Sequence, residues 1–292
     1  MHISITGDLG SGKSTVAKEL CKVLNYNYLS TGLIHRQLGQ EKGMNTLEFN
    51  KFADENKEID DYIDQKLIDI NDQSEPYVLD SRLAWHFVKK SFKVYLMAAP
   101  EVAAVRVLKD KERIGEPSGP DVADKINELQ ERRSIESYRF EKIYDIKPDL
   151  FNDFDAIIDA SSASVSDVTD LILNLFQNYK NGETYNKFWL SPHRIYPTKN
   201  IRLIDREPDF SYDAQHPIHC VLYNGDFFVF TGHKGLSACL KTGISLIPVL
   251  LSTNDVSLPP AEKFVRDSYH IDWIHDWEEE HGFRFLHYPG IQ

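Results

Sequence analysis

Ile3-Ser4-Ile5-Thr6-Gly7-Asp8-Leu9-Gly10-Ser11-Gly12-Lys13-Ser14-Thr15 opens the chain with an apolar run, a glycine-rich turn and a lysine. Gly7 to Ser14 fits the spacing G-x-x-x-x-G-K-[ST], and a helical pattern follows, with Val16, Ala17, Leu20 and Leu24 on one face. A buried strand feeding a helix through such a turn is a phosphate cradle. The glycines let successive N–H groups point inward, and the helix dipole favours an anion. Lys13 is expected to reach the β- and γ-phosphates of a nucleoside triphosphate, and the Ser14 hydroxyl to ligate Mg2+. The expected nucleotide-binding set is Gly7, Gly10, Ser11, Gly12, Lys13, Ser14 and Thr15.

Outward from this turn, short apolar runs alternate with helical patterns, as in a parallel α/β domain. Strands are expected at Tyr28–Ser30, Tyr77–Asp80, Lys93–Met97 and Ala156–Asp159. Helices are expected around Ile59–Ile70, after Pro100 and over Val165–Phe176. Glycine and proline among charges at Lys109–Asp121 predict a mobile stretch. The polar segment 179–200 reads as a linker between a domain of residues 1–178 and a second of residues 201–292. In the second part, Ile218–Leu222 and Phe227–Phe230 flank Asn224-Gly225, a strong hairpin signal. A helix over Lys234–Lys241, a stop at Gly243 and a strand over Ile247–Leu251 follow.

The net charge of -12 disfavours nonspecific nucleic-acid binding, which needs clustered basic charge. No apolar run reaches the ~20 residues of a membrane span, and the first residues lack the basic start of a signal peptide. A soluble cytoplasmic protein is expected. Cys21, Cys220 and Cys239 form no metal-ligand spacing and read as reduced, mostly buried thiols. The spacing says nothing of oligomeric state.

Phosphoryl transfer to a second anion needs cations opposite the cradle. Candidates are Arg36, the turn Asp80-Ser81-Arg82, and Arg132, Arg133 and Arg139, with Arg106 and Arg113 as further ones. Arg132 and Arg139 lie two helical turns apart, on one face. The segments GDLGSGKSTVAKEL, YLSTGLIHRQLGQEKGM, VLDSRLAWHFV, VYLMAAPEVAAVRV and ERRSIESYRFEKIYDI resemble the short, archaeal-type cytidylate kinases over residues 1–178. The resemblance implies a P-loop kinase fold, a parallel sheet flanked by helices, with ATP and Mg2+ as donor and CMP or dCMP as acceptor. It implies that Ser30, Arg36, Asp80 and Arg82 bind the acceptor, and that Lys13, Arg132 and Arg139 act on the transferring group. Ser81 stands where that family usually carries glycine.

His216–Leu251 resembles the smaller α+β ParB/sulfiredoxin-like fold, in which a glycine turn leads into a phosphate-binding helix. Here the turn is Thr231-Gly232-His233-Lys234-Gly235. Sulfiredoxins carry a cysteine at His233, and ParB proteins a glutamate and two arginines at His233 to Gly235, so neither known reaction is expected. His233 and Lys234 read equally as an anion site or as an ordinary helix start. Trp273, His275, Trp277, His281 and His287 read as packing with solvated histidines in preference to a metal site. Besides a monophosphate kinase, two readings stay open: a nucleotide-dependent regulator acting on the second domain, and a small-molecule kinase within that domain.

Overall fold

The computed structural model describes residues 1–44, 48–49, 52–53, 56–110, 121–147, 152–204, 212–213, 216–252 and 260–291. The chain divides into two compact units. The first is Met1–Ile157 with Val165–Glu183, and the second is Ile158–Ser164 with Thr184–Gln292.

The first unit is α/β with a parallel sheet. Its strands are β1 (His2–Gly7), β2 (Asn27–Ser30), β3 (Tyr77–Asp80), β4 (Ser91–Met97) and the first half of β5 (Ala156–Asp159, whose last two residues fall in the second unit), in the order β2-β3-β1-β4-β5. The register sets Ile5 and Ser30 level with Asp80, so the C-terminal ends of β1, β2 and β3 come together. Parallel strands are covered on both faces, which is why β1 and β4 are almost continuously buried. The helices are α1 (Lys13–Leu24), α2 (Thr31–Glu41), α3 (Lys57–Ile68), α4 (Ala84–Phe87), α5 (Pro100–Lys109), α6 (Val122–Tyr144) and α7 (Val165–Asn181). α1 packs on β3 and against α7, while α5 packs on α6. Pro100 begins α5 where its missing N–H costs no helical bond. The expected mobile stretch at Lys109–Asp121, with Arg113, lies almost wholly outside the described residues.

The second unit holds β6 (Phe188–Leu190), β7 (Ile195–Tyr196), β8 (Ile218–Tyr223), β9 (Asp226–Thr231) and β10 (Ile247–Leu251), in the order β6-β10-β8-β9-β7. Asn224 (φ 50°) and Gly225 (φ 88°) supply the two left-handed residues that a tight β8–β9 hairpin requires. α8 (His233–Thr242) leads to β10, which runs parallel to β8, and α9 (Ala261–Ser268) and α10 (Ile271–His281) follow. The segment expected as a linker, 179–200, is built into the structure instead. α7 runs to Asn181, and β6 and β7 bury Leu190, Ile195 and Tyr196. Its polar composition hid strands of three and two residues, too short to show a period. No described helix is long and apolar enough to cross a membrane.

Candidate functional site: a phosphate loop facing a helix of arginines

The turn after β1 is shaped by close backbone approach. A Cβ on Gly7 (φ +143°) would lie 2.0 Å from the Leu96 carbonyl oxygen of β4. One on Gly10 (φ +75°) would meet the Ala103 carbonyl oxygen at 2.6 Å. Only glycine satisfies both the angle and the space at these two positions. Gly12 is the N-cap of α1, and the first turn of that helix carries no acid, so its positive end stays uncompensated within the turn. Ser11 closes the loop by donating from its Oγ to the Asp8 carbonyl at 2.8 Å. The Lys13 Nζ donates to the carbonyls of Gly7 at 3.1 Å and Asp8 at 2.6 Å, which holds the ammonium over the loop. Thr15 anchors the first turn, its N–H donating to the Gly12 carbonyl at 3.1 Å.

Asp80 links three elements at one atom. Its Oδ2 accepts from the Ser14 Oγ at 2.6 Å, the Tyr28 hydroxyl at 3.0 Å and the Ser30 Oγ at 3.3 Å. Ser30 also caps α2, accepting from the Leu33 N–H at 3.4 Å. Burial foremost, and then the Asp80 charge, push the Tyr28 phenol well above its usual range, so it stays protonated and donates. Tyr28 is absent from the sequence-derived set, although strand alternation places it on the same face as Ser30. Ser81 fixes the following turn: its Oγ accepts from the Leu83 N–H at 3.3 Å, and its carbonyl accepts from the Thr6 hydroxyl at 2.5 Å.

α6 presents one stripe to these strand ends. Leu129 is buried, and Arg132, Glu136, Arg139, Phe140 and Tyr144 are half-buried, while Glu131, Ser134, Ile135, Ser137 and Tyr138 are exposed. Arg82, after β3, pairs with Glu136, and the Arg132 Nε donates to the same carboxylate at 3.2 Å. Arg139 pairs with Asp60 of α3 at 2.5 Å, and the Tyr144 hydroxyl donates to Asp64 at 2.7 Å. Arg133 reaches the loop itself. It donates to the Asp8 Oδ1 at 2.5 Å and to the Tyr95 hydroxyl at 3.0 Å, and Asp8 also accepts from the Ala98 N–H at 3.1 Å. The helix face and the loop also share an apolar contact, Leu9 against the cluster of Ala103, Val107 and Leu129.

The structure therefore gathers Ser14, Ser30 and Asp80 directly, and joins Arg82 to Arg132 through Glu136. Arg36 is exposed on α2 beside His35. Burial, then Arg139, with Arg132 and Arg36 behind it, lower the His35 imidazole, and Asp60 opposes them, so three arginines and an acid share its neighbourhood. Arg106 of α5 donates to the Ser11 carbonyl at 3.5 Å. Asp8, Tyr28, Asp60, Tyr95 and Glu136 escaped sequence reasoning. Each gains its partner across a long sequence separation, and only Tyr28 left a local signal.

In the second unit the His233 side chain turns inward. It is buried, and its Nε2 accepts from the Thr198 N–H at 3.1 Å. Burial, and next the Lys199 charge, pull its pKa down to about 3. With its ring enclosed and its Nε2 accepting from the Thr198 N–H, His233 itself fits the helix-start reading. Gly232 (φ +102°) carries the chain into α8, and a Cβ there would press on the Ile218 Cα at 3.1 Å. Trp277 is fully buried, its indole N–H donating to the Lys199 carbonyl at 2.9 Å, and His281 stacks on it.

Residues 3–133 match the family model described as an AAA domain. A cytidylate kinase of Archaeoglobus fulgidus is 36% identical over 174 residues, covering 59% of this chain and 93% of its own. One of Methanocaldococcus jannaschii is 34% identical over 185 residues, covering 62% and 99%. A solved shikimate kinase of Bacteroides thetaiotaomicron overlays 61% of this chain and 98% of its own, at 14% identity and a TM-score of 0.44.

Proposed function

The chain belongs to the cytidylate kinase family through its first unit, and on that premise we propose that it transfers the terminal phosphoryl group of ATP to a nucleoside monophosphate, CMP or dCMP. The observation that carries the reading is the Asp80 carboxylate. It ties Ser14 of the donor-side loop to Ser30, and two residues after Asp80, Arg82 meets Glu136, which also holds Arg132. A donor cradle and an anion clasp joined at one residue suit a two-nucleotide site.

In this reading an acceptor phosphate oxygen attacks the γ-phosphorus in line, the bond to the β–γ bridging oxygen breaks, and ADP leaves. The acceptor phosphate is mostly ionised near pH 7, its second pKa being about 6, so no strong general base is needed. Gly7 to Thr15 hold the donor phosphates, with Lys13 over the β and γ groups. Ser30, Arg36, Asp80 and Arg82 hold the acceptor. Arg132 and Arg139 neutralise the charge of the transferring group and help to exclude water. The Ser14 hydroxyl and Asp80 carboxylate, 2.6 Å apart, form a hard-oxygen pair that fits Mg2+, which is usually held by one or two protein oxygens, phosphates and waters. When bound, the ion neutralises charge on the β- and γ-phosphates.

For the second unit, the order β8, β9, glycine turn, α8 and β10 supports a ParB/sulfiredoxin-like arrangement. With His233 enclosed, we read that unit as an accessory domain.

The test is a panel of CMP, dCMP, UMP and AMP with ATP and Mg2+, following ADP and nucleoside diphosphate formation. CMP or dCMP is expected to be the best acceptor. Lys13→Ala is expected to lower kcat/KM at least ~10²-fold by removing the cation over the phosphates. Failure of every monophosphate, or full activity of Lys13→Ala, would sink the reading.

A further inference from the structure

Arg82 and Arg132 come from elements distant in sequence, yet both are held by one carboxylate, that of Glu136 on α6. The Glu136 side chain is about a quarter exposed, similar to its two partners, so all three are open to solvent and not in the core. Glu136 lies one helical turn from Arg132 on the inward stripe, so its own helix delivers it to this point. Two guanidinium groups drawn together repel unless an anion lies between them. A carboxylate supplies one charge and two oxygens. A phosphate monoester supplies up to two charges and three oxygens, so it is the better ligand for the same pair.

We propose that Glu136 is an internal stand-in for the acceptor phosphate: it keeps Arg82 and Arg132 assembled, and it must be displaced before a monophosphate is clasped. The proposal rests on the roles proposed for those two arginines, Arg82 on the acceptor and Arg132 on the transferring group. Its consequence is specific. The binding step contains the exchange of one anion for another, so Glu136 weakens acceptor binding. Once the acceptor is bound the exchange has already happened, so the chemical step is little affected. Donor binding, at the other end of Asp80, is untouched. The residue thus sets the acceptor concentration at which the enzyme works.

The test compares the intact protein with Glu136→Gln, a side chain of the same shape without the charge. Steady-state kinetics with CMP are expected to show a KM lower by roughly three- to tenfold, with kcat changed by less than about twofold and the KM for ATP unchanged. Calorimetric titration is expected to show CMP binding tightened by the same factor, and cytidine, which lacks the phosphate, not tightened. Inorganic phosphate, titrated with the P-loop saturated by ADP and Mg2+, is expected to tighten likewise, and the gain is expected to vanish when Arg82→Ala is added. Unchanged or weaker binding of both CMP and inorganic phosphate to Glu136→Gln would overturn the proposal, as would equal tightening of CMP and cytidine. If no monophosphate binds either protein while inorganic phosphate still tightens through Arg82, the kinase reading has failed and the stand-in role of Glu136 holds. Matching thermal unfolding of the variant and the parent checks that the comparison concerns folded protein.

Discussion

His233 illustrates how one side chain changes meaning when its surroundings are known. As a residue after a glycine at a helix start, it reads equally as a phosphate ligand. Enclosed, and accepting from the Thr198 N–H, it must stay neutral to keep that bond. Its folded pKa is lowered to about 3 from the ordinary 6.5, so the unfolded chain binds the proton more readily. The stability it contributes is therefore complete above about pH 6.5 and is lost as the pH falls towards 3, on the order of 3–5 kcal/mol at full extent. Denaturant midpoints measured from pH 7 to pH 4 are expected to fall more steeply for the parent than for His233→Gln, whose amide oxygen also accepts but does not titrate. Parallel slopes would contradict the assignment. Asp80 is the matching case in the first unit: an acid ending a strand is legible, but its three hydroxyl partners are not.

Among the elements, α6 decides most about the site. Its stripe crosses from the loop, through Leu9 and Arg133, past the β3 turn at Glu136, to α3 at Arg139 and Tyr144. Helical spacing alone puts Arg132 and Arg139 on one face. It leaves open which acids the arginines of the helix meet, because Asp8, the partner of Arg133, and Asp60, the partner of Arg139, arrive from distant parts of the chain. An arginine that acts on the transferring group contributes in the transition state more than in binding. Arg132→Ala is accordingly expected to lower kcat by roughly 10²–10³-fold while the KM values for ATP and CMP move by less than about tenfold. Steady-state kinetics check this, and a loss confined to KM would reassign Arg132 to binding alone. The β8–β9 hairpin is the opposite kind of element. Asn224-Gly225 specifies it locally, and the structure adds only its place in the second sheet.

Over the whole molecule, the two units differ in what they offer a nucleotide. The first contains the loop, the strand ends and the arginine stripe, and the second encloses the histidine that would have faced an anion. A ligand that binds only folded protein stabilises it by about 2.7 kcal/mol at one hundred times its Kd. Added ATP with CMP is therefore expected to slow hydrogen exchange in β1, the loop, α1 and α6, and to leave residues 216–252 unchanged. Protection appearing around α8 would show that the second unit holds a nucleotide site of its own.

The phosphate loop, the parallel alternation of strands and helices, and the Asn-Gly hairpin were readable in the sequence because each is set by residues close together in the chain. A glycine must stand where φ is positive, a buried strand must be apolar, and a helix must repeat its apolar face. The partners of the arginines, the inward turn of His233 and the use of 188–196 as strands were decided by the fold. Ion pairs and burial depend on which elements meet, and that meeting is a property of the packed chain. A helix of arginines announces that anions are near. Only the tertiary structure shows that the first anions they meet are Asp8, Asp60 and Glu136 of the protein itself.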